Sequence, residues 1–380
     1  MKRDILNEFN LSDDIIYLNH AGVSPWPART SDAVKEFAEE NSRMGSSRYL
    51  KWLDVEENVK KLAKILINAP SKNDIALVKN TSEALSIVAY GLDWKPGDNI
   101  VSSNQEFPSN RIVWESLASQ GVEFRQADLD SAASPEDALF SLTDSRTRLI
   151  TISSVQFATG LKMDLQQIGV FCKSRGILFC VDAIQSLGAA SFDVQKIQAD
   201  FIMADAHKWM LGPEGIALFY SHPEARERLN LKQYGWHMVK SVGDFDRTEW
   251  EITETARCFE CGSVNMLGIH ALNASLTLLL DAGMDAVESE IIKRSEHLFE
   301  LVRSDERFEL ITPSEANRFG GIVTFRRLGL DNNAIYEYLM KRNVVCACRA
   351  GGIRLSPHFY TQHNQLDSAI DMIRNYHPAG

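Results

Sequence analysis

Nothing in this 380-residue chain is strongly basic, long and apolar, or repetitive. Lys and Arg number 40 against 51 Asp and Glu, for a net charge of −11. A non-specific nucleic-acid binder needs a basic face to displace phosphate counterions, so no nucleic-acid partner is expected. The start, Met1-Lys2-Arg3-Asp4, opens into a polar stretch with no apolar core of a secretory signal. Apolar runs such as Leu278–Leu280 are far too short to span a bilayer, and no membrane partner is expected. Six cysteines in this length do not form a disulfide scaffold; reduced thiols and a cytoplasmic location follow as expectations. No Gly-x-Gly-x-x-Gly or P-loop follows an early strand, which argues against a nucleotide-binding doubly wound protein.

What is present is an ordinary globular balance, 44% apolar and 24% charged residues, in a chain long enough for two domains. From Ile75 to Tyr220, apolar strands alternate with helical stretches, the pattern of a parallel sheet covered on both faces. Strands are predicted at Ile75–Val78, Asn99–Ser102, Arg148–Ser153, Ile177–Val181, Phe201–Met203 and Ile216–Tyr220. Helices are predicted at Ser82–Tyr90 and Leu165–Ser174. After Cys261 the chain turns helical (Leu267–Ala282, Met284–Arg303) and then shows short strands at Gly321–Phe325 and Ile353–Leu355. The expected division is a large domain over 16–277 and a smaller α+β domain formed by 278–380 with 1–15.

Val181-Asp182-Ala183-Ile184-Gln185 puts an acid at the C-terminal end of a buried strand, the edge of an open parallel sheet where ligands bind. One strand on, Asp200–Asp205 leads through Ala206 and His207 to Lys208. An acid and a lysine facing one crevice suit pyridoxal phosphate (PLP) chemistry. The amine condenses with the aldehyde and moves protons at the substrate Cα, while the acid keeps the pyridine nitrogen protonated. Gln185, one turn beyond Asp182, can reach the ring hydroxyl. Taken singly, such an Asp is more often a helix cap and such a Lys a solvated side chain; together and in phase they point to the cofactor. Lys79-Asn80-Thr81-Ser82-Glu83 follows a strand and opens a helix, with Asn80 and Glu83 spaced as a capping box. Its free amides and the hydroxyls of Thr81 and Ser82 suit a phosphate, with His207 a further phosphate partner; the plain alternative is a simple cap.

The signature Val181–Gly188 followed by Asp205-Ala206-His207-Lys208 resembles the class V aminotransferases, the PLP fold type I family that includes cysteine desulfurases, kynureninases and isopenicillin N epimerase. The likeness runs from Tyr17–Ala21 to Ile353–Tyr360. It implies an α/β fold, a large domain with a mostly parallel seven-stranded sheet between helices plus a smaller α+β domain. It implies Lys208 as the Schiff-base lysine, with Asp182 under the pyridine nitrogen and His207 completing the catalytic group. Gln185 falls at the ring hydroxyl, Thr81 and Ser82 at the phosphate, and Asp205 beside the cofactor. Phe107, in Glu106-Phe107-Pro108-Ser109-Asn110, falls where the family stacks a side chain on the ring. Ser263, in Phe259–Asn265, matches a segment that reaches the neighbouring subunit's phosphate, which implies a homodimer. Arg354 matches the arginine that grips an amino-acid α-carboxylate, and Asn19 and His20 match the substrate-side segment. Tyr234, Trp236 and His237 are expected to border the same pocket.

A desulfurase needs a mobile cysteine nucleophile upstream of the carboxylate arginine. Cys346 and Cys348 instead alternate as strand residues do, a short step from Arg354, and read as buried and unactivated. Cys258 and Cys261 have the spacing of half a zinc or redox site without the other half, so no metal is expected. An aminotransferase acting on an amino acid, a small-molecule substrate, is the first expectation. A cysteine desulfurase or selenocysteine lyase, a kynureninase- or epimerase-like lyase, and a non-catalytic protein that keeps the fold stand as alternatives.

Overall fold

Short runs of β-branched and aromatic residues, buried on both sides, form parallel strands only when helices cross over to cover both faces. The computed structural model describes residues 3–378 and realises this arrangement. Its strands are β1 (Ile16–Tyr17), β2 (Ile75–Val78), β3 (Asn99–Ser103), β4 (Glu123–Ala127), β5 (Thr147–Ser153), β6 (Leu178–Asp182) and β7 (Phe201–Asp205). They continue with β8 (Ala217–Ser221), β9 (Phe308–Leu310), β10 (Val323–Arg327), β11 (Val344–Val345), β12 (Ala347–Arg349) and β13 (Gly352–Leu355). The large sheet has the order β2-β8-β7-β6-β5-β3-β4; all neighbours are parallel except β8, which runs antiparallel to both β2 and β7.

Successive residues point to opposite faces, and both faces are apolar. Val101, Ile150, Ile152, Val181 and Ile202 enter one core, while Ile100, Leu149, Cys180 and Met203 enter the other. Each such Val, Leu or Ile, fully buried, contributes roughly 1.5–3 kcal/mol. The C-terminal ends of β3, β5, β6 and β7 therefore share one edge, and the functional side chains gather along it. β4 is not among the predicted strands, because Glu123–Ala127 is a polar edge strand with only Ala127 buried.

Beyond the large sheet, β12-β13-β10-β9 form a four-stranded antiparallel sheet, and β1 pairs in parallel with β11. Residues 16–17 thus belong beside the C-terminal strands, although the expected division put them with the large domain. The helix Met266–Ala282 runs unbroken through position 278, with Leu278 and Leu279 in the large core, and packs on the helices Ala28–Met44 and Tyr49–Leu66. The chain instead turns at Gly283 (φ 82°), where the next helix, Met284–Arg303, departs at 82°. Among the described residues no single helix is long and apolar enough to cross a membrane.

Candidate active site

Lys208 lies in the tight turn after β7 and is 9% exposed. Leu211 closes that turn, donating its amide to the Lys208 carbonyl at 3.0 Å with φ of +59°, a conformation that non-glycine residues rarely adopt. The turn is clamped at Trp209, whose indole donates to Gln185 Oε1 at 2.8 Å and whose carbonyl meets His358 Nε2 at 3.2 Å. Gly188 (φ +94°) permits this approach, since a Cβ there would lie 2.2 Å from the Trp209 carbonyl oxygen. Burial pushes the Lys208 amine down to about 8, against the pull of Asp182. An amine so depressed offers far more of its neutral, nucleophilic form near neutral pH than an ordinary lysine does.

Asp182 ends β6 and is almost fully buried, accepting the Ile184 amide at 3.0 Å. Burial lifts its carboxyl to about 7; buried Glu106 raises it further and Lys208 opposes the rise. A pyridinium N–H placed against this carboxylate would reverse the effect, because an opposite charge favours the ionised acid. Gln185 differs from expectation. Its oxygen is taken by Trp209 and its Nε2 donates to the Ala21 carbonyl at 3.2 Å, so its amide braces the turn.

At the end of β2, Asn80 caps the helix Thr81–Gly91 by accepting the Glu83 amide at 2.8 Å. The Glu83 carboxylate reaches back to the Lys79 amide. Ser82 Oγ donates to Ser109 Oγ at 2.8 Å. Asp205, at the end of β7, accepts from both the amide and the hydroxyl of Thr81. His207 is half-buried, with Nδ1 3.5 Å from Asp205 Oδ2, and burial pushes its ring down to about 4.

Glu106, after β3, is a buried carboxylate that accepts from Ser153 N (2.8 Å), Ser153 Oγ, Gln156 Nε2 (2.9 Å) and Asn110 Nδ2 (2.8 Å). This network fixes the segment carrying Phe107. The Phe107 ring lies 5.5 Å from Lys208 Nζ and edge-to-face with Phe157 at 5.2 Å, a position consistent with stacking over a ring bound at Lys208. Glu106, Gln156 and Phe157 were not singled out from the sequence, although 156 and 157 follow the end of β5 on the same sheet edge.

Arg354, in the middle of β13, is 3% exposed. Its Nη1 donates to the Phe157 carbonyl at 2.8 Å and its Nη2 to Asn19 Oδ1 at 3.0 Å, while Nε is buried without a partner. Among the described residues no carboxylate pairs with it; burial and Arg349 lower it to about 10. A buried guanidinium held on two neutral acceptors, with a donor to spare, has the chemistry to accept a carboxylate. His20 is a correction to expectation. It is fully buried with Nδ1 on the Ser356 carbonyl (2.8 Å) and Nε2 on the Tyr360 hydroxyl (2.6 Å), and offers neither nitrogen to a substrate.

Other expected residues lie elsewhere. His237 is buried with Nδ1 3.6 Å from Glu260, and Tyr234 and Trp236 line a cavity of about 410 Å³ with Phe245 and Trp250. Ser263 is exposed in the single chain. Glu56, His237 and Glu260 are the one group of potential metal ligands among the described residues, and it includes no cysteine. The Lys60 ammonium stands 2.8 Å from Glu260 and 3.2 Å from Glu56, a cation already placed against both carboxylates. Cys346 is buried with its thiol pushed up to about 12 by desolvation, and burial also raises Cys348 on β12. The β12–β13 connection is a two-residue turn, Ala350-Gly351, with both φ positive (49° and 72°). Such turns join strands tightly and leave no mobile loop.

A family model described as aminotransferase class-V matches residues 16–369. A probable cysteine desulfurase of Methanothermobacter thermautotrophicus is 30% identical over 96% of this chain and 95% of its own. Among solved structures, the apo cysteine desulfurase of Thermococcus onnurineus shares the fold with a TM-score of 0.87 at 23% identity, over 98% of both chains. C-DES with glycine covalently linked to the PLP cofactor gives a TM-score of 0.89 at 21% identity, over 96% of this chain and 97% of that one. The chain belongs to the class V aminotransferase family, has the PLP fold type I architecture, and is an enzyme of that family with pyridoxal 5'-phosphate as cofactor. Its own residues fit the group. A buried acid and a depressed lysine amine share one sheet edge, a capped helix N-terminus lies alongside, and His207 Nδ1 is buried without a hydrogen-bond partner.

Proposed function

From that family membership, we propose that this enzyme breaks the Cβ–S bond of a cysteine-type amino acid by elimination, without passing sulfur to a protein thiol. When bound, the cofactor supplies an aldehyde for the Lys208 amine and a ring that accepts electron density from the substrate. Asp182 keeps the ring nitrogen protonated, and Phe107 covers the ring face. Ser82 and His207 offer donors to the phosphate. Arg354 takes the α-carboxylate through Nε, with Asn19 and Phe157 holding the guanidinium in place, and so fixes the Cα–H toward Lys208. Lys208 removes that proton. The Cβ–S pair leaves on sulfur, and overall one cysteine and one water give one sulfide, one pyruvate and one ammonia.

The relatives' names support cysteine over the transamination expected first. The observation that carries the elimination reading is the closed β12–β13 hairpin, which holds Cys348 as a strand residue, with Cys346 buried immediately before β12 and both thiols raised. A nucleophilic cysteine needs a thiolate and freedom to reach substrate. Exposed Ser263, together with the largely exposed Tyr234, Phe245 and Trp250, supports a homodimer as part of the same proposal. Product analysis after incubation with L-cysteine tests the reading: pyruvate and sulfide in equal amounts are expected. Alanine with a persulfide on Cys346 or Cys348, or a keto acid without sulfide, would contradict it.

A further inference from the structure

The helix Thr81–Gly91 opens with three amides free of intrahelical partners, and two of them are already spoken for. Glu83 N is taken by the Asn80 cap, and Thr81 N by the carboxylate of Asp205. Asp205 also accepts the Thr81 hydroxyl at 3.1 Å, while its own amide donates to Thr81 Oγ1 at 3.2 Å. A protein anion therefore sits on the positive end of the helix that is offered to the cofactor phosphate, leaving Ser82 as the uncommitted amide of that turn. The charges around Asp205 do little to offset a second anion. His207, 3.5 Å away, is held neutral by burial; Lys208 is the amine consumed in holding the cofactor; Asp182 and Glu214 are acids.

We propose that Asp205 competes with the cofactor phosphate for the N-terminus of the Thr81–Gly91 helix, so that the cofactor is taken up together with a proton on Asp205. A phosphate dianion arriving beside this carboxylate either displaces it from Thr81 or makes it take up a proton from solvent; once protonated, Asp205 turns from acceptor to donor toward a phosphate oxygen. Burial already raises this carboxyl and the Thr81 contacts lower it, so losing those contacts while gaining a neighbouring dianion drives it further up. The bound state then holds more protons than the free state, and affinity for the phosphate falls as pH rises. The phosphate's own ionisation acts in the opposite direction, since the dianion is the better ligand for a helix N-terminus. A fall with pH is therefore diagnostic of Asp205. The chemistry gives the enzyme a cofactor grip that loosens under alkaline conditions and in the presence of competing phosphate.

This inference rests on PLP being the cofactor, and one experiment separates the two. The full-length chain, stripped of cofactor, is titrated with PLP and with pyridoxal, which lacks the phosphate, between pH 6 and 9; binding is read from protein fluorescence and visible absorbance. The same is done for Asp205→Asn. The expected result is PLP binding at least about tenfold tighter in the variant at pH 8, the scale set by removing a like charge a few ångströms from the phosphate. Pyridoxal binding should be unchanged within about twofold, by the same argument that it carries no phosphate charge. In the wild type alone, the preference for PLP over pyridoxal should decline as pH rises, which keeps the test valid if the variant folds poorly. Equal or weaker PLP binding in Asp205→Asn, or a wild-type preference flat or rising with pH, would overturn the proposal. Failure of the wild type to take up either compound would overturn it along with the cofactor assignment.

Discussion

Arg354 Nη1 donates to the carbonyl of Phe157 at 2.8 Å, and the ring of that same Phe157 lies edge-to-face with Phe107. One residue on the loop after β5 thus couples the buried Arg354 on the small sheet to Phe107, whose ring lies beside Lys208. The guanidinium is held by neutral acceptors, and its Nε has no partner among the described residues.

Arg354→Lys keeps a charge but loses the fork. The Nε hydrogen bond to a carboxylate, charged on both sides, is worth roughly 1.5–3 kcal/mol, so kcat/KM for L-cysteine should fall about tenfold or more. The loss should appear mainly in KM, and steady-state kinetics on the purified variant would show it. A change below threefold would remove Arg354 from the substrate site.

The raised carboxyl of Asp182 has a stability signature in cofactor-free protein. Its folded pKa of about 7 lies above the ordinary value of 3.8, so the folded state holds a proton that the unfolded chain releases. Stability is thereby lost as pH rises from about 4 to about 7, and the full penalty remains above that. Asp182→Asn removes the titration. The Tm advantage of the variant should widen between pH 4 and 7 and level off above; a constant gap would refute the assignment.

Gly188→Ala should disturb the lysine turn without touching any reacting group. The position has φ +94°, and the new methyl would meet the Trp209 carbonyl. Strain of this kind costs about 1–3 kcal/mol, and urea unfolding should show it. Because the Trp209 carbonyl moves with Lys208, cofactor retention on gel filtration should fall too. Unchanged stability would show that the turn is more pliable than its contacts indicate.

If no protein thiol takes part, Cys348→Ser and Cys346→Ala should each retain sulfide release within about twofold. The second is expected to lose about 1 kcal/mol of stability from the small cavity it leaves. Sulfide release assayed under steady turnover distinguishes the outcomes, since loss of activity in either variant would restore a protein sulfur carrier.

The positions of Asp182, Asp205 and Lys208 at one sheet edge were legible because strand pattern alone puts them there. Leu178–Asp182 and Phe201–Asp205 are near-continuous apolar runs ending in an acid, and the turn to Lys208 follows directly. The helix start at Thr81 was legible through the Asn80 cap. The polar edge strand β4 was not, because its burial alternates weakly and pairing with β3 supplies what periodicity lacks. Neither were long-range bonds: Asp205 to Thr81 spans 124 residues, and Gln185 to Ala21 spans 164. Those bonds decide whether a side chain faces the ligand or braces the fold, as His20 illustrates. Its neighbour Asn19 turns to Arg354, while His20 is absorbed by Ser356 and Tyr360.

Borohydride reduction of the holoenzyme, followed by digestion and mass spectrometry of the peptides, tests the central claim most directly. The account predicts the reduced cofactor on Lys208, none on any other lysine, and none anywhere in Lys208→Ala. A cofactor-bearing peptide that lacks Lys208, or wild-type protein loaded with PLP that yields no modified peptide, would contradict it.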